Sequence, residues 1–304
     1  MDINRIVQLL SEKIPEGQIL THEPMKKYTT FKIGGPADII VQPENKEQLS
    51  AILKVCNKEK VPYYILGNGS NLLVSDEGYR GVIIQLYNQF ADITVKDNHI
   101  TAQSGALLAK IAAKALENEL TGFEFAHGIP GTLGGAVVMN AGAYGGEMKQ
   151  VIVSCEVMTP EGDILKLSNE ALELGYRTSV IQKKDYIVLE ATIALETGDK
   201  EKIHELMKDY AGRRREKQPL DKPSAGSTFK RPVGHFAGKL IMDSNLRGFK
   251  VGGAMVSDKH CGFVVNTGEA TCADVIHLIQ EVKRIVKEKF DVELEPEVKM
   301  LGFK

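Results

Sequence analysis

The chain has 304 residues, 43% of them hydrophobic and 26% charged, which excludes a disordered protein and provides enough apolar side chains for two domains or one elaborated α/β unit. Lys and Arg (38) nearly balance Asp and Glu (40), and the only dense basic cluster is RRREK at 213–217, so we expect no nucleic-acid partner. No apolar run is long enough to span a membrane, and the four cysteines show no paired spacing. We therefore expect a cytoplasmic protein with reduced thiols and no membrane partner.

Several segments show the spacing of amphipathic helices. The N-terminal residues place Ile3, Ile6 and Leu10 among charged side chains, which predicts a helix and not a signal peptide. Thr271 followed by Asp274 has the spacing of a capping box at a helix start. Apolar residues at helical spacing predict further helices over residues 46–60, 106–120, 199–210 and 271–289.

Short β-rich runs lie between these helices, and a Pro-Glu-Gly turn at 160–162 joins two of them as a predicted hairpin. Because strands and helices do not alternate regularly, we expect an α+β fold and not one doubly wound sheet. The polar, Pro- and Gly-rich residues 218–238 are interpreted as a functional loop or a linker. The strands are predicted at residues 37–41, 62–66, 81–86, 151–159, 163–167, 186–195 and 262–266.

Two glycine-rich segments are candidates for binding a ligand. Residues 67–71, Gly-Asn-Gly-Ser-Asn, directly follow a predicted strand and form a tight turn whose backbone N–H groups suit a phosphate. Residues 128–147 contain seven glycines, which permit close approach of a flat or anionic ligand. Neither segment matches the dinucleotide GxGxxG or the P-loop pattern. Glycines that serve only close helix packing remain the alternative for each segment.

Seven segments, in chain order, carry a resemblance to a known family. They are TTFKIGGPAD (29–38), LGNGSNLLV (66–74), GIPGTLGGAVVMNAGAYGGE (128–147), GYRTS (175–179), PSAGSTFKRP (223–232), VSDKHCGFVVN (256–266) and EPEVKMLG (295–302). Together they resemble the UDP-N-acetylenolpyruvoylglucosamine reductase family. This resemblance implies an α+β fold with an FAD-binding half of the p-cresol methylhydroxylase type. It also implies two FAD-binding subdomains, at 1–86 and 87–198, and a substrate-binding domain at 199–304 whose C-terminal segment returns toward the flavin.

The implied reaction is the reduction of UDP-N-acetylglucosamine enolpyruvate to UDP-N-acetylmuramate in peptidoglycan precursor synthesis. Non-covalent FAD is the implied cofactor and NADPH the co-substrate, which connects the enzyme to cell-wall biogenesis, cell shape, cell division and the cell cycle. We expect a monomer. The residues expected to bind FAD are Gly67, Asn68, Gly69, Ser70, Asn71, Gly131, Thr132, Gly134 and Gly135.

Three residues match the family's catalytic positions. Hydride addition to the enolpyruvyl methylene carbon leaves negative charge beside a carboxylate, and Arg177 and Glu297 are expected to stabilise it. Ser227 is expected to donate the proton that completes the reaction. By pattern alone, Glu297 is more typical of an exposed strand face, Arg177 of a surface arginine, and Ser227 of an ordinary loop serine. The family match decides in favour of the catalytic roles.

Four residues are expected to contact the substrate: Tyr176, Lys217, Lys230 and His260. A lysine supplies a point charge for a diphosphate, although solvated surface lysines are the alternative. The spacing of the histidines and cysteines matches no zinc site, so we expect no metal.

The sequence departs from the longer family members. The interval between Arg177 and Ser227 is short, so a tyrosine-bearing loop insertion is absent, and Arg231 stands where some members have asparagine. Two rival functions stay open at this point: an FAD oxidase of the same cofactor fold, and a sugar-nucleotide binding module that has lost its flavin.

Overall fold

The computed structural model describes residues 2–303 and bears out each of the helices expected from apolar spacing. The N-terminal helix buries Ile6 and Leu10, as the spacing predicts. The helix that begins after Thr271 has a complete capping box with Asp274, and each burial of an aliphatic side chain along it contributes about 1.5–3 kcal/mol. In the described residues the α-helices are α1 (Ile3–Ser11), α2 (Lys46–Glu59), α3 (Leu108–Glu117), α4 (Leu133–Met139), α5 (Met148–Val151), α6 (Val180–Lys184), α7 (Lys200–Lys217), α8 (Ala237–Asp243) and α9 (Cys272–Phe290).

The strands are mostly short and antiparallel, and all seven predicted runs are among them. The predicted turn at 160–162 joins two antiparallel partners, Ile152–Met158 and Ile164–Ser168. Over residues 2–303 the strands are β1 (Ile19–Pro24), β2 (Pro36–Val41), β3 (Tyr63–Leu66), β4 (Leu72–Val74), β5 (Tyr79–Gln85), β6 (Ile93–Lys96), β7 (His99–Gln103), β8 (Leu120–Thr121), β9 (Gly142–Ala143), β10 (Gly146–Glu147), β11 (Ile152–Met158), β12 (Ile164–Ser168), β13 (Ile187–Ala194), β14 (Glu196–Thr197), β15 (Ser224–Ser227), β16 (Lys250–Val251), β17 (Ala254–Val256), β18 (Phe263–Asn266) and β19 (Lys299–Leu301).

These strands form three larger sheets and several two-stranded ones. The largest has the order β12-β11-β13-β7-β6 and is antiparallel throughout. A four-stranded sheet has the order β1-β2-β5-β3, with β3 and β5 parallel, and another has the antiparallel order β15-β18-β17-β16. Strand β19 pairs in parallel with β4, which brings residues 299–301 beside 72–74. The mixture confirms the α+β class.

The chain divides into two units that are each formed from separate stretches of sequence. Unit 1 comprises residues 1–21, 39–68 and 81–213, and unit 2 comprises 22–38, 69–80 and 214–304. Unit 1 contains two apolar cores. One lies around the five-stranded sheet with α3 and α4, and the other lies around α1, α2 and β5. Unit 2 has a core in which α9 packs with α8, β17 and β18. The predicted domain boundaries after residues 86 and 198 stay predictions.

Residues 218–238, interpreted from their composition as a loop or linker, contribute more to the fold than expected. They include the edge strand β15 and the start of α8, and they bury Ala225 and Phe229 in the core of unit 2. The composition was misleading because a short edge strand needs only alternate apolar residues, so prolines and glycines can flank it.

The four cysteines are free and buried, as expected for reduced thiols. Burial raises the pKa of Cys56, Cys155 and Cys272 to about 12, so these thiols stay protonated near neutral pH. Among residues 2–303, no cluster of three or more His, Cys, Asp or Glu side chains could hold a metal ion. No helix in that part of the chain combines the length and hydropathy needed to cross a bilayer.

Candidate functional site

The two glycine-rich segments meet in unit 1. The loop that follows β3 places Gly67 against Thr132, so close that a Cβ at position 67 would lie 2.4 Å from the Thr132 hydroxyl oxygen. The neighbouring Asn68 donates its side-chain N–H to the Pro130 carbonyl at 2.7 Å. Glycine at 67 is therefore required for the contact, and residues that lie about 60 positions apart in sequence form one surface.

A second set of backbone contacts fixes the segment that leads into α4. The N–H groups of Leu133 and Gly134 donate to the carbonyls of Ala106 and Ser104, each at 2.8 Å, and Leu108 donates to Gly131 at 3.1 Å. A Cβ at Gly134 would lie 2.9 Å from the Ser104 Cβ. Main-chain hydrogen bonds to residues 104–108 thus fix residues 131–134, and this loop has little conformational freedom.

The loop after β3 also has the donors that an anionic ligand requires. Within the described chain, the backbone N–H groups of Asn68, Gly69 and Ser70 donate to no protein acceptor, although Gly69 is buried. A Cβ at Gly135 would meet protein atoms no closer than 3.9 Å, so that glycine is not needed for packing. Buried N–H groups without an acceptor are rare in folded proteins. The N–H groups of the loop after β3 fit the diphosphate of a dinucleotide cofactor such as FAD.

The remainder of the same loop belongs to unit 2. Gly69 has a φ of 62° and accepts a hydrogen bond from the Thr30 N–H at 3.2 Å. Two residues further on, Asn71 donates its side-chain N–H to the Glu297 carbonyl at 3.2 Å, and its own carbonyl accepts the Lys299 N–H at 3.0 Å. The side chain of Asn71, expected from the sequence to bind the cofactor, therefore contacts the backbone of a predicted catalytic residue.

Ser227 ends the edge strand β15, directly after Gly226, whose φ is 75°. It pairs with Phe263 on β18 after a register shift that follows Ser224. The serine side chain is exposed, whereas Thr228 and Phe229 beside it are buried. The turn at Gly226 and the buried anchors after it hold an accessible hydroxyl at a fixed strand position.

Glu297 lies beside Ser227 in unit 2. Its N–H donates to the Thr228 carbonyl at 2.8 Å, and the neighbouring Pro296 forms an isolated bridge with Phe229. Residues 291–298 alternate polar and apolar side chains, yet no strand spans them, because Pro296 lacks the N–H that a ladder needs. Glu297 is half-buried, so the pattern of an exposed strand face does not describe it.

Arg177 lies in unit 1, at the tip of a two-residue turn closed by mutual hydrogen bonds between Gly175 and Thr178. Its φ is 54°, a left-handed conformation that costs an arginine about 1–2 kcal/mol. The guanidinium carbon lies 5.2 Å from the centroid of the Tyr176 ring, which is 55% exposed. Strained backbone of this kind is concentrated at functional sites.

The remaining substrate candidates lie in unit 2. Lys217 is exposed at the end of α7, and Lys230 forms an ion pair with Glu295. His260 packs edge-on against Phe263, the strand partner of Ser227, with ring centroids 5.1 Å apart, and its Nδ1 accepts the Gly262 N–H. Burial lowers the pKa of His260, which favours the neutral ring. His260, Ser227 and Glu297 thus all lie around residues 227–229.

Sequence reasoning did not identify two polar residues that organise these segments. The buried Thr228 joins β18 and residue 297, because its N–H donates to Gly262, its hydroxyl accepts from Val264, and its carbonyl accepts from Glu297. Asn140, also buried, ends α4 in a left-handed conformation and donates to the Gly175 carbonyl. The only sequence signal for Asn140 is an Asn directly before an Ala-Gly pair at the end of a helix.

Comparisons with known proteins agree with this arrangement. Residues 218–301 match the family model of the UDP-N-acetylenolpyruvoylglucosamine reductase C-terminal domain, and residues 37–168 match that of an FAD binding domain. A UDP-N-acetylenolpyruvoylglucosamine reductase from Caldanaerobacter subterraneus subsp. tengcongensis is 53% identical over 98% of this chain and 99% of its own length.

The crystal structure of UDP-N-acetylenolpyruvylglucosamine reductase from Thermus caldophilus is 36% identical and superimposes with a TM-score of 0.79, covering 93% of this chain and 98% of that one. An alkyldihydroxyacetonephosphate synthase, 18% identical with a TM-score of 0.50, covers 64% of this chain and 40% of its own and shares the fold alone. The predicted family resemblance is confirmed, and so is the α+β fold with an FAD-binding part.

Proposed function

Because the chain belongs to the UDP-N-acetylenolpyruvoylglucosamine reductase family, we propose that it reduces UDP-N-acetylglucosamine enolpyruvate to UDP-N-acetylmuramate with NADPH, in peptidoglycan precursor synthesis. The observation that carries the proposal is the convergence of Ser227 and Glu297 on the backbone of Thr228, with the 69–71 loop bonded to residue 297. An oxidoreductase of this family needs a proton donor and an acid held in one frame, and these residues supply them.

FAD, held without a covalent bond, would supply the hydride chemistry between NADPH and the enolpyruvyl methylene carbon. The chain's part is to hold the cofactor through residues 67–71 and 131–135. The free N–H groups of the first segment and the room at Gly135 support this role. Gly67 and Gly134 serve it indirectly, because each permits the close contact that brings the segments together.

The substrate's carboxylate becomes flanked by additional negative charge as the carbon–carbon double bond is reduced. We assign Arg177 to bind that carboxylate, since a guanidinium can contact both of its oxygens. We assign Glu297 as the second acid, which stabilises the same developing enolate. Preorganised donors at the position where charge develops commonly contribute 10²–10³-fold each to the rate, roughly 3–4 kcal/mol.

Ser227 completes the reaction by donating its hydroxyl proton to the carbon that carried the charge. A serine is a weak acid, but the enolate carbon is strongly basic, and we assign Lys230 and Arg231, three and four positions further along the chain, to favour the alkoxide that remains. The exposure of the Ser227 side chain and the fixed strand position support this role. The proton is then restored from solvent.

Tyr176, Lys217, Lys230 and His260 are proposed to contact the UDP-sugar. Lys217 is exposed and carries a full charge for the diphosphate, whereas Lys230 has to exchange its ion pair with Glu295 to serve in this way. The neutral ring of His260 suits a hydrogen bond to an uncharged group. We further propose a cytoplasmic monomer, with FAD-binding subdomains at 1–86 and 87–198 and a substrate domain at 199–304.

An anaerobic absorbance experiment tests the proposal. The purified protein, loaded with FAD, is reduced by one equivalent of NADPH and then mixed with UDP-N-acetylglucosamine enolpyruvate. We expect rapid return of the oxidised flavin band without oxygen. A band that returns only when oxygen is admitted would contradict the substrate and indicate an oxidase. Failure of the protein to bind FAD would contradict the cofactor assignment.

A further inference from the structure

The turn that presents Arg177 is held by two side-chain amides that no catalytic assignment includes. Asn140, which is buried, donates its side-chain N–H groups to the Gly175 carbonyl at 3.2 Å and to Glu147 Oε2 at 3.1 Å. Its side-chain oxygen accepts the Lys149 N–H at 2.9 Å. Every hydrogen-bonding group of this amide except one oxygen lone pair is thus engaged.

The second amide belongs to Gln182 and holds the other side of the turn. Its Nε2 donates to the Arg177 carbonyl at 3.2 Å and to the Val138 carbonyl at 2.7 Å. Ser179, fully buried, donates its hydroxyl to the same Val138 carbonyl at 2.8 Å. The last turn of α4 is therefore bonded to the arginine turn from both ends.

These bonds explain how an arginine keeps a left-handed backbone. Arg177 has a φ of 54° at the second central position of a closed turn, where glycine or asparagine is usual. Such a residue keeps that conformation only where its surroundings over-determine it. Here the carbonyl before the turn and the carbonyl of Arg177 itself each have an amide donor from outside the turn.

The network also ties the arginine to the glycine-rich segment. Helix α4 is capped by Thr132 at its start and by Asn140 at its end. Its seven residues therefore connect residues 131–134 to the Asn140 amide, which donates to the Gly175 carbonyl. All of these residues lie in unit 1. Arg177 and the proposed cofactor segment accordingly share one frame.

We propose that Asn140 and Gln182 are positioning residues for Arg177: their amides fix the 175–178 turn so that the guanidinium is preorganised for the substrate carboxylate. This inference rests on the proposed function, because it assigns Arg177 to that carboxylate. A displacement of about 1 Å in such a group can cost about 10²-fold in rate. Neither amide contacts substrate or cofactor in this scheme, and each acts through Arg177.

The test uses isosteric variants in the FAD-loaded protein. Asn140→Asp and Gln182→Glu remove the donors without changing side-chain size, and aspartate tolerates the left-handed backbone at 140. Asn169→Asp is the matched control, because the Asn169 amide also donates to two backbone carbonyls of unit 1, those of Lys149 and Ile152, but not to the arginine turn. Gln182→Glu keeps the proposal testable where Asn140→Asp does not fold.

Three measurements are compared. We expect flavin reoxidation by UDP-N-acetylglucosamine enolpyruvate to slow by about 10–100-fold in Asn140→Asp and Gln182→Glu, whereas flavin reduction by NADPH stays within about threefold. When the oxidised protein is titrated with that substrate, the midpoint of the flavin absorbance change should shift to a higher substrate concentration. In an Arg177→Ala background, Asn140→Asp should slow flavin reoxidation by less than about a further threefold, because the guanidinium that Asn140 positions is absent.

The positioning role would be overturned if Asn140→Asp slowed flavin reoxidation equally in the wild-type and Arg177→Ala proteins. It would also be overturned if the variants slowed flavin reduction as much as flavin reoxidation. A readout independent of activity separates this from a failure of the proposed function: amide hydrogen exchange of the peptide spanning residues 174–182. Exchange should quicken in Asn140→Asp but not in Asn169→Asp. Unchanged exchange overturns the inference even where the wild-type protein reduces the substrate. Faster exchange in a protein that fails to reduce this substrate supports the structural link and contradicts only the proposed function.

Discussion

The glycine-rich surface of unit 1 and the Ser227–Glu297 pair of unit 2 represent two different ways of making a site. The first depends on side chains that are missing, because Gly67 and Gly134 touch Thr132 and Ser104 where a Cβ would clash. The second depends on ordinary side chains placed by main-chain bonds to Thr228.

This difference decides how each part of the site is recognised. Clustered glycines are uncommon in a folded chain, so their sequence pattern already indicates either a ligand-binding region or a close packing contact. A serine at a strand end and a glutamate in an alternating segment are common, and only their mutual position distinguishes them. The two kinds of site should also respond differently to substitution: the first through cofactor affinity, the second through the rate of one chemical step.

The largest expected effect is that of Ser227→Ala. Reoxidation of reduced flavin by UDP-N-acetylglucosamine enolpyruvate should slow by about 10²–10⁴-fold, because the proton donor is lost, while flavin reduction by NADPH stays nearly intact. Stopped-flow absorbance resolves the two half-reactions. Ser224→Ala, on the same strand, is the matched control and should change neither rate by more than about threefold. Equal slowing of both half-reactions by Ser227→Ala would contradict the proton-donor role.

Much of the framework was predictable because its helices follow a plain periodic pattern. The helix expected at 46–60 was found at Lys46–Glu59, and the one at 271–289 was found at Cys272–Phe290 with its predicted cap. Helix α4 was not predicted, because Gly134 and Gly135 in its first turn lower helix propensity and hide the pattern. Main-chain bonds to Ser104 and Ala106 hold that turn in place, and such bonds have no sequence signature.

The site was predictable only in part, for a related reason. Residues 291–298 alternate like a strand, but Pro296 and the parallel pairing of residues 299–301 with β4 give Glu297 a different environment. The resemblance to a family identified Glu297, and no pattern in the residues could have done so. The supports of the site, Thr228 and Asn140, were missed because a buried hydrogen-bonded side chain looks the same in sequence as an exposed one.

The glycine side of the comparison is tested by Gly67→Ala. Since a Cβ there would lie 2.4 Å from the Thr132 hydroxyl oxygen, the Thr132 side chain or its segment has to shift, and we expect FAD to bind about 10–100-fold more weakly. Titration of the FAD-free protein, followed by flavin fluorescence, gives the dissociation constant. Unchanged affinity would mean that the contact between the segments is only a packing feature.

A sharper distinction between a packing glycine and a ligand-binding glycine comes from Gly135→Ala. A Cβ at 135 has room in the protein, so the FAD-free protein should gain about 0.5–1 kcal/mol in free energy of unfolding while FAD affinity falls about tenfold. Gly212→Ala, in α7 with no atom within 4 Å of its added Cβ, is the control and should give the same stabilisation with unchanged FAD affinity. Urea unfolding and FAD titration measure the two quantities. Identical behaviour of the two variants would remove Gly135 from the cofactor site.

The smallest expected effect is a pH dependence of stability that each unit owes to one half-buried histidine. Burial lowers the pKa of His127 in unit 1 and of His260 in unit 2. The unfolded chain then binds protons more tightly than the folded one, so stability is greatest above about pH 6.5 and falls as the pH drops toward the folded-state pKa values. His127→Gln and His260→Gln should each reduce the loss of stability between about pH 7.5 and about pH 5.5, measured by urea unfolding. His99→Gln, at an exposed position, should lose as much stability over this pH range as the wild-type protein. If His127→Gln or His260→Gln behaves like His99→Gln, the pH dependence belongs to the other unit alone.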